Sequence, residues 1–226
     1  MTPREPRRSS ARRSPVLVVL AGLPGSGKST IARGLAQSLG AAHVRIDSIE
    51  QAILDSSLAA PSVAEAGYRV GYAVARDILR GNVSVVADSV NPIDVTRDAW
   101  RTVARDLDAS LAEIEVVCSD EQEHRRRVET RVVDVAGLRV PTWSDVVRRE
   151  YQPVDSSVHV LDTAGRDATA CIDEALAVVS AGGAPAVAGP GQDATVRNQR
   201  NRLRWNTIGS ISDCTLSSLI RRTTIA

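Results

Sequence analysis

The stretch GLPGSGKST, Gly22 to Thr30, leaves this chain few folds to adopt. Gly22, four residues, then Gly27-Lys28-Ser29 is the spacing G-x-x-x-x-G-K-S, a phosphate-binding loop that joins a buried strand to the N-terminus of a helix. Its backbone N–H groups converge on phosphate oxygens, and the helix N-terminus adds partial positive charge. Gly22, Leu23, Pro24, Gly25, Ser26, Gly27, Lys28, Ser29 and Thr30 are therefore the candidate nucleotide-binding residues. Both flanks suit the motif. PVLVVLAG reads as a buried parallel strand, and STIARGLAQSLG as an amphipathic helix ended by Gly40. A chance glycine-rich turn, or a secretory signal beginning at ARRSPVLVVLAGL, fits less well, because the apolar run is short and leads straight into the loop.

Lys28 is the only lysine in 226 residues, against 27 arginines. A chain that uses arginine for every other cation keeps lysine where a compact charge must fold back over a small loop onto the β- and γ-phosphates. The broader, planar guanidinium fits that place poorly. The Ser29 hydroxyl is placed to hold Mg²⁺. With a single lysine there is no N-K-x-D sequence to read guanine, which points to ATP rather than GTP.

The length suits one α/β domain with extra termini. Net charge is +1, unevenly spread: residues 1–15 carry five Arg against Glu5, and 182–226 carry six Arg against Asp193 and Asp213, so the body is near −7. An acidic body argues against an extended nucleic-acid footprint, which needs many phosphate-neutralising cations. Cys118, Cys171 and Cys214 are odd in number and widely spaced, so neither a disulfide framework nor a zinc site is implied; reduced thiols of a cytoplasmic protein are expected. No run approaches the ~18 apolar residues of a membrane span. His43, His124 and His159 lack metal spacing and read as structural or exposed.

Residues 1–15 read as a disordered basic arm, 16–181 as the folded domain, and 182–226 as a Gly/Pro/Ala linker and basic tail without a recognisable fold. Within the domain, strands are expected at 16–21, 43–46, 83–87, 112–117 and 157–161, and helices at 28–39, 48–56, 62–80, 93–107, 120–134, 143–150 and 167–180. This alternation, with Val-rich strands, predicts a five-stranded parallel sheet covered by helices on both faces. Ligands in such sheets sit beyond the carboxyl ends of the strands, so the residues that follow strands are the ones to weigh.

After the second strand, Asp47 is placed to accept a proton from an attacking hydroxyl, or simply to cap a helix beginning at Ser48. Glu50, one turn on, orients the acceptor or faces solvent. After the third strand, Asp88 stands where a carboxylate would hold Mg²⁺ or bind substrate, with Ser89 and Asn91 on the same loop. In EQEHRRRVETR, Arg127 and Arg131 are four residues apart on one predicted helix and project from one face, suited to close over a moving phosphoryl group. A solvated charged face is the alternative. In that case the cation over the site comes from elsewhere, with Arg97 or Arg148 the next candidates. Tyr68, Tyr72, Trp100 and Trp143 read mainly as packing residues.

Taken together, GLPGSGKST, RIDSIE, VVADSVNPIDVTRDAW and RRRVETR resemble the P-loop kinases of the AAA-33, zeta-toxin and polynucleotide-kinase-like group over about residues 16–165. That resemblance implies strand order 2-3-1-4-5, a short arginine-bearing lid, ATP and Mg²⁺. It also implies Lys28, Asp47, Arg127 and Arg131 as catalytic residues, with Ser29 and Asp88 at the metal. Polynucleotide kinases carry an Arg one turn after the base, where this chain has Glu50, and D-S-I-E is similar to the strand end of shikimate kinase. The expectation is therefore transfer of the ATP γ-phosphate to a small-molecule hydroxyl. A 5′-hydroxyl polynucleotide kinase, or a nucleotide-binding regulator without transfer activity, is the alternative.

Overall fold

The computed structural model describes residues 14–57, 62–132 and 134–182; the expected arm (apart from residues 14 and 15), linker and tail, including Cys214, lie outside them. Five strands form one parallel sheet: β1 (Val16–Ala21), β2 (Ala42–Arg45), β3 (Val85–Asp88), β4 (Ser110–Val117) and β5 (His159–Asp162). Their order is β2-β3-β1-β4-β5, as the resemblance implies. β1 is central, with Val18 beside Val86 on one neighbour and Ala112 on the other.

The period-two geometry of a strand explains why both faces of β1 are apolar. Val18 and Leu20 pack with Ile31, Ala32 and Leu35 of α1 (Lys28–Leu39) and with Cys171, Ala175 and Val178 of α7 (Ala168–Ser180). Leu17 and Val19 turn the other way, toward Ala75 and Leu79 of α3 (Val63–Arg80) and Trp100, Val103 and Ala104 of α4 (Asp94–Asp106). Trp100 is fully buried, edge-on to Tyr72. Burying a side chain of that size anchors the second face by about 2–3 kcal/mol.

Most boundaries fall within two residues of those expected, and three of the differences bear on site residues. β2 ends at Arg45 and α2 (Ile46–Asp55) follows at once with Arg45 as its N-cap, so Asp47 lies inside the first helical turn rather than before it. α5 (Glu121–Glu129) stops five residues short of 134. Thr130 ends it: the amide and hydroxyl both bond back to the Arg126 carbonyl, the hydroxyl at 2.8 Å. Arg131 is therefore in a loop and does not share a helix face with Arg127. α6 (Trp143–Arg148), started by a Thr142/Asp145 capping box, ends two residues before the expected 150. No helix among the described residues is long and apolar enough to cross a membrane.

Candidate active site

The loop between β1 and α1 is wound tightly enough to require its glycines. Gly25 has φ +83, and a Cβ there would lie 2.5 Å from Val128 Cγ2 of α5. α1 begins at Lys28, and its N-cap, Gly27, supplies no side-chain cap, so the first amides remain available to an anion. Lys28 Nζ donates to the Leu23 carbonyl at 2.8 Å, folded over the loop as expected. Burial lowers its pKa to about 8, opposed by the charges of Asp88 and Asp47 and reinforced by Arg131 and Arg149. A desolvated ammonium closing over open amides is a fit for polyphosphate.

Asp88, the last residue of β3, is 3 % exposed. Burial favours its neutral form, yet its pKa is lowered, because the His43 hydrogen bond, Lys28 and the Ser29 hydroxyl together outweigh that cost. His43 Nε2 lies 3.3 Å from Oδ2, so this histidine, expected to be structural or exposed, supports a site carboxylate. An ionised carboxylate beside a hydroxyl is the hard oxygen donor set that suits Mg²⁺. Among the described residues, no group of three His, Cys, Asp or Glu is placed to bind a metal by itself.

Asp47 is reached by Arg45 at 3.7 Å and Arg131 at 4.0 Å. Arg127 points elsewhere: it donates to the Thr163 hydroxyl at 2.8 Å, the Thr163 carbonyl at 3.0 Å and Glu123 at 2.6 Å. Thr163 follows β5, whereas Asp47 follows β2, so the two arginines flank the central phosphate loop from opposite edges of the sheet. Arg125 is exposed and paired with Glu129. Arg97, next in line as a cation over the site, does not serve there. It is 2 % exposed and bonds the carbonyls of Asn91, Pro92, Gln152 and Pro153 together with Asp94. Asn91 has φ +47 and ties the loop to β1 through the Leu20 carbonyl at 2.8 Å.

One cleft of about 1310 Å³ brings together Lys28, Ser29, Asp47, Asp88, Arg127 and Arg131. Arg33, Arg45, Asp134 and Arg149 also line it and carried no sequence signal strong enough to single them out. Arg45 is pinned by Asp134, whose two oxygens lie 2.8 and 2.9 Å from Nη1; Arg33 adds a third bond at 2.9 Å. His124 braces the phosphate loop through the Pro24 carbonyl at 2.8 Å. Arg149, directly after α6, faces the cleft, and its guanidinium forms no hydrogen bond or ion pair with the described residues. Glu50 is half-buried in the same wall, where burial and Asp47 raise its pKa to about 8 against the pull of Arg149.

Comparison with known proteins agrees with this geometry. A protein of Aeropyrum pernix named "Probable adenylyl-sulfate kinase" is 29 % identical over 159 residues, covering 66 % of this chain and 83 % of that one. Two solved structures share the fold. Chaetomium thermophilum Kti12 in complex with ADP-AlF3 has a TM-score of 0.56 at 23 % identity, over 74 % of this chain and 99 % of that one. Mycobacterium tuberculosis APS kinase CysC in complex with AMPPNP and APS has a TM-score of 0.53 at 19 % identity, over 74 % and 96 %. The AAA_33 family model, described as an AAA domain, matches residues 17–141, more than half of the sequence. With that match and the 2-3-1-4-5 sheet around a phosphate loop, the chain belongs to the AAA_33 family and is a P-loop kinase of that group.

Proposed function

We propose that residues 16–181 form an ATP-dependent phosphotransferase acting on the hydroxyl of a small molecule. The observation that carries this reading is the meeting, in one cleft, of a desolvated phosphate-loop lysine with two carboxylates from the ends of β2 and β3. Lys28 and the loop amides hold the β- and γ-phosphates. Ser29 and Asp88 would hold Mg²⁺, which when bound supplies charge neutralisation between those phosphates. Asp47 takes the proton of the acceptor hydroxyl as its oxygen bonds to the γ-phosphorus and the bond to the β-phosphate oxygen breaks, leaving ADP. Arg131 beside Asp47 and Arg127 beside Thr163 close on the moving group from its two sides, where charge develops in the transition state.

The test is transfer of label from γ-labelled ATP to a panel of sugars, hydroxy acids, nucleosides and 5′-hydroxyl oligonucleotides. Transfer to a small molecule, lowered by about 10²–10⁴ in Asp47→Asn with ATP affinity kept, supports the reading. Binding of ATP with no transfer to any member would point to a nucleotide-binding regulator instead.

A further inference from the structure

We propose that the phosphoryl acceptor is itself an anion, and that Arg149 recognises its carboxylate, sulfate or phosphate group in the wall of the cleft that Glu50 also lines. This rests on the kinase reading above and adds the class of acceptor.

The charge of the cleft is the first observation. The body of the chain is acidic, yet nine basic side chains line the cleft against six acidic ones. The nucleotide phosphates and the moving phosphoryl group account for Lys28, Arg127 and Arg131, and Arg166 is held by Glu174. Arg33 and Arg45 are already occupied by Asp134. The cations left are Arg139, Arg148 and Arg149; Arg139 and Arg148 are exposed, while Arg149 is half-buried. Desolvation strengthens a guanidinium's hold on an oxyanion, and a planar fork matches two oxygens at once.

Position is the second observation. The charge of Arg149 acts on both Lys28 and Glu50, and that of Arg131 on Lys28, while Arg131 touches Asp47. An anion held by Arg149 therefore lies in the same cleft as Asp47 and Lys28, with the rest of its molecule within reach of the phosphate loop. Glu50 reinforces the site. α3 backs it so closely that a Cβ on Gly67 would lie 2.4 Å from Glu50 Cγ. Raised to about 8, its carboxyl is an O–H donor at neutral pH and not a competing charge. Apolar surface closes the same end: Tyr68, Ile93, Val63 and Leu54, the last 60 % exposed. An apolar wall with a guanidinium fork and one O–H donor suits a compact organic anion bearing a hydroxyl.

The experiment is calorimetric titration of the full chain, first with ADP and Mg²⁺, then, at saturating ADP, with gluconate against glucose, glycerate and glycerol 3-phosphate against glycerol, and inorganic sulfate. We expect at least one anion to bind at least about tenfold tighter than its neutral partner. Which anion binds separates a carboxylate from a phosphate or sulfate group. Arg149→Gln should lower that affinity at least about tenfold and Arg149→Lys by less, since lysine keeps the charge but not the fork, while the ADP affinity of both variants stays within about twofold. Anion binding that is unchanged in Arg149→Gln, or ADP binding without preference for any anion, overturns the proposal and leaves the kinase reading standing. Failure of the wild-type chain to bind ADP overturns both.

Discussion

Glu50→Gln isolates one side chain whose environment sets its charge. Gln keeps the shape of Glu, so contact with Gly67 and the α3 wall is preserved while ionisation is removed. The ordinary carboxyl value is 4.5, and in the fold it rises to about 8, chiefly through burial and then through Asp47. Between those pH values the folded chain binds a proton that the unfolded chain has lost, so wild-type stability falls as pH rises. Each pH unit in that window costs about 1.4 kcal/mol. From pH 4.5 to 7 the wild type should therefore lose about 3 kcal/mol relative to the variant, a melting difference of roughly 6–12 °C for a chain of this size. Below 4.5 the two should run parallel, and above about 8 the gap should stop growing. Urea unfolding of both proteins from pH 4 to 9 reads the difference directly. A constant offset across the range would show that Glu50 is ionised in the fold, and the argument for a neutral donor beside Arg149 would fall with it.

Lys28→Arg should weaken ATP binding and lose nearly all transfer, because the space over the loop, and not charge alone, selects lysine; wild-type turnover in that variant would make the single lysine a compositional accident. Arg131→Ala and Arg127→Ala should each lower turnover far more than ADP affinity, whereas Arg125→Ala, which loses only an exposed ion pair, should change either by less than about twofold. A costly Arg125 with a neutral Arg127 would refute the placement of α5. His124→Ala should raise the KM for ATP and loosen the loop, seen as faster amide exchange at Gly25 and Ser26; unchanged exchange would mean that Val128 alone positions the loop.

What the sequence made legible follows the range over which each feature is decided. The bounds of β1 and α1 are settled within about twenty residues, by glycine spacing at one end and Gly40 at the other, and both stand where the sequence sets them. The sheet order came with the resemblance. The course of the chain after Glu129 was not readable, because it depends on Asp134 meeting Arg45 and Arg33, about 90 and 100 residues away in sequence. Asp47 was placed before its helix, since nothing local shows that Arg45 can serve as N-cap with no intervening turn. Arg148 and Arg149 are indistinguishable in RREYQ. Only the end of α6 at Arg148, which leaves Arg149 extended at φ −64 and ψ 128, decides which of the two is turned inward.

Arg97 holds its surroundings mainly by main-chain carbonyls, with Asp94 as an ion-pair partner and the Tyr151 ring 5.3 Å from its guanidinium carbon. A carbonyl is the same in every residue, so the bonds to Pro92, Gln152 and Pro153 do not depend on which side chains those positions carry, whereas Asn91 also holds the loop through its own amide group. Substitutions at Val90 and Ile93, which line the cleft on the same loop, can alter what it accepts while Arg97 keeps the backbone in place. A single buried guanidinium thus separates the inheritance of geometry from the divergence of specificity, and directed variation of those positions around an untouched Arg97 is a route to new acceptors on the same frame.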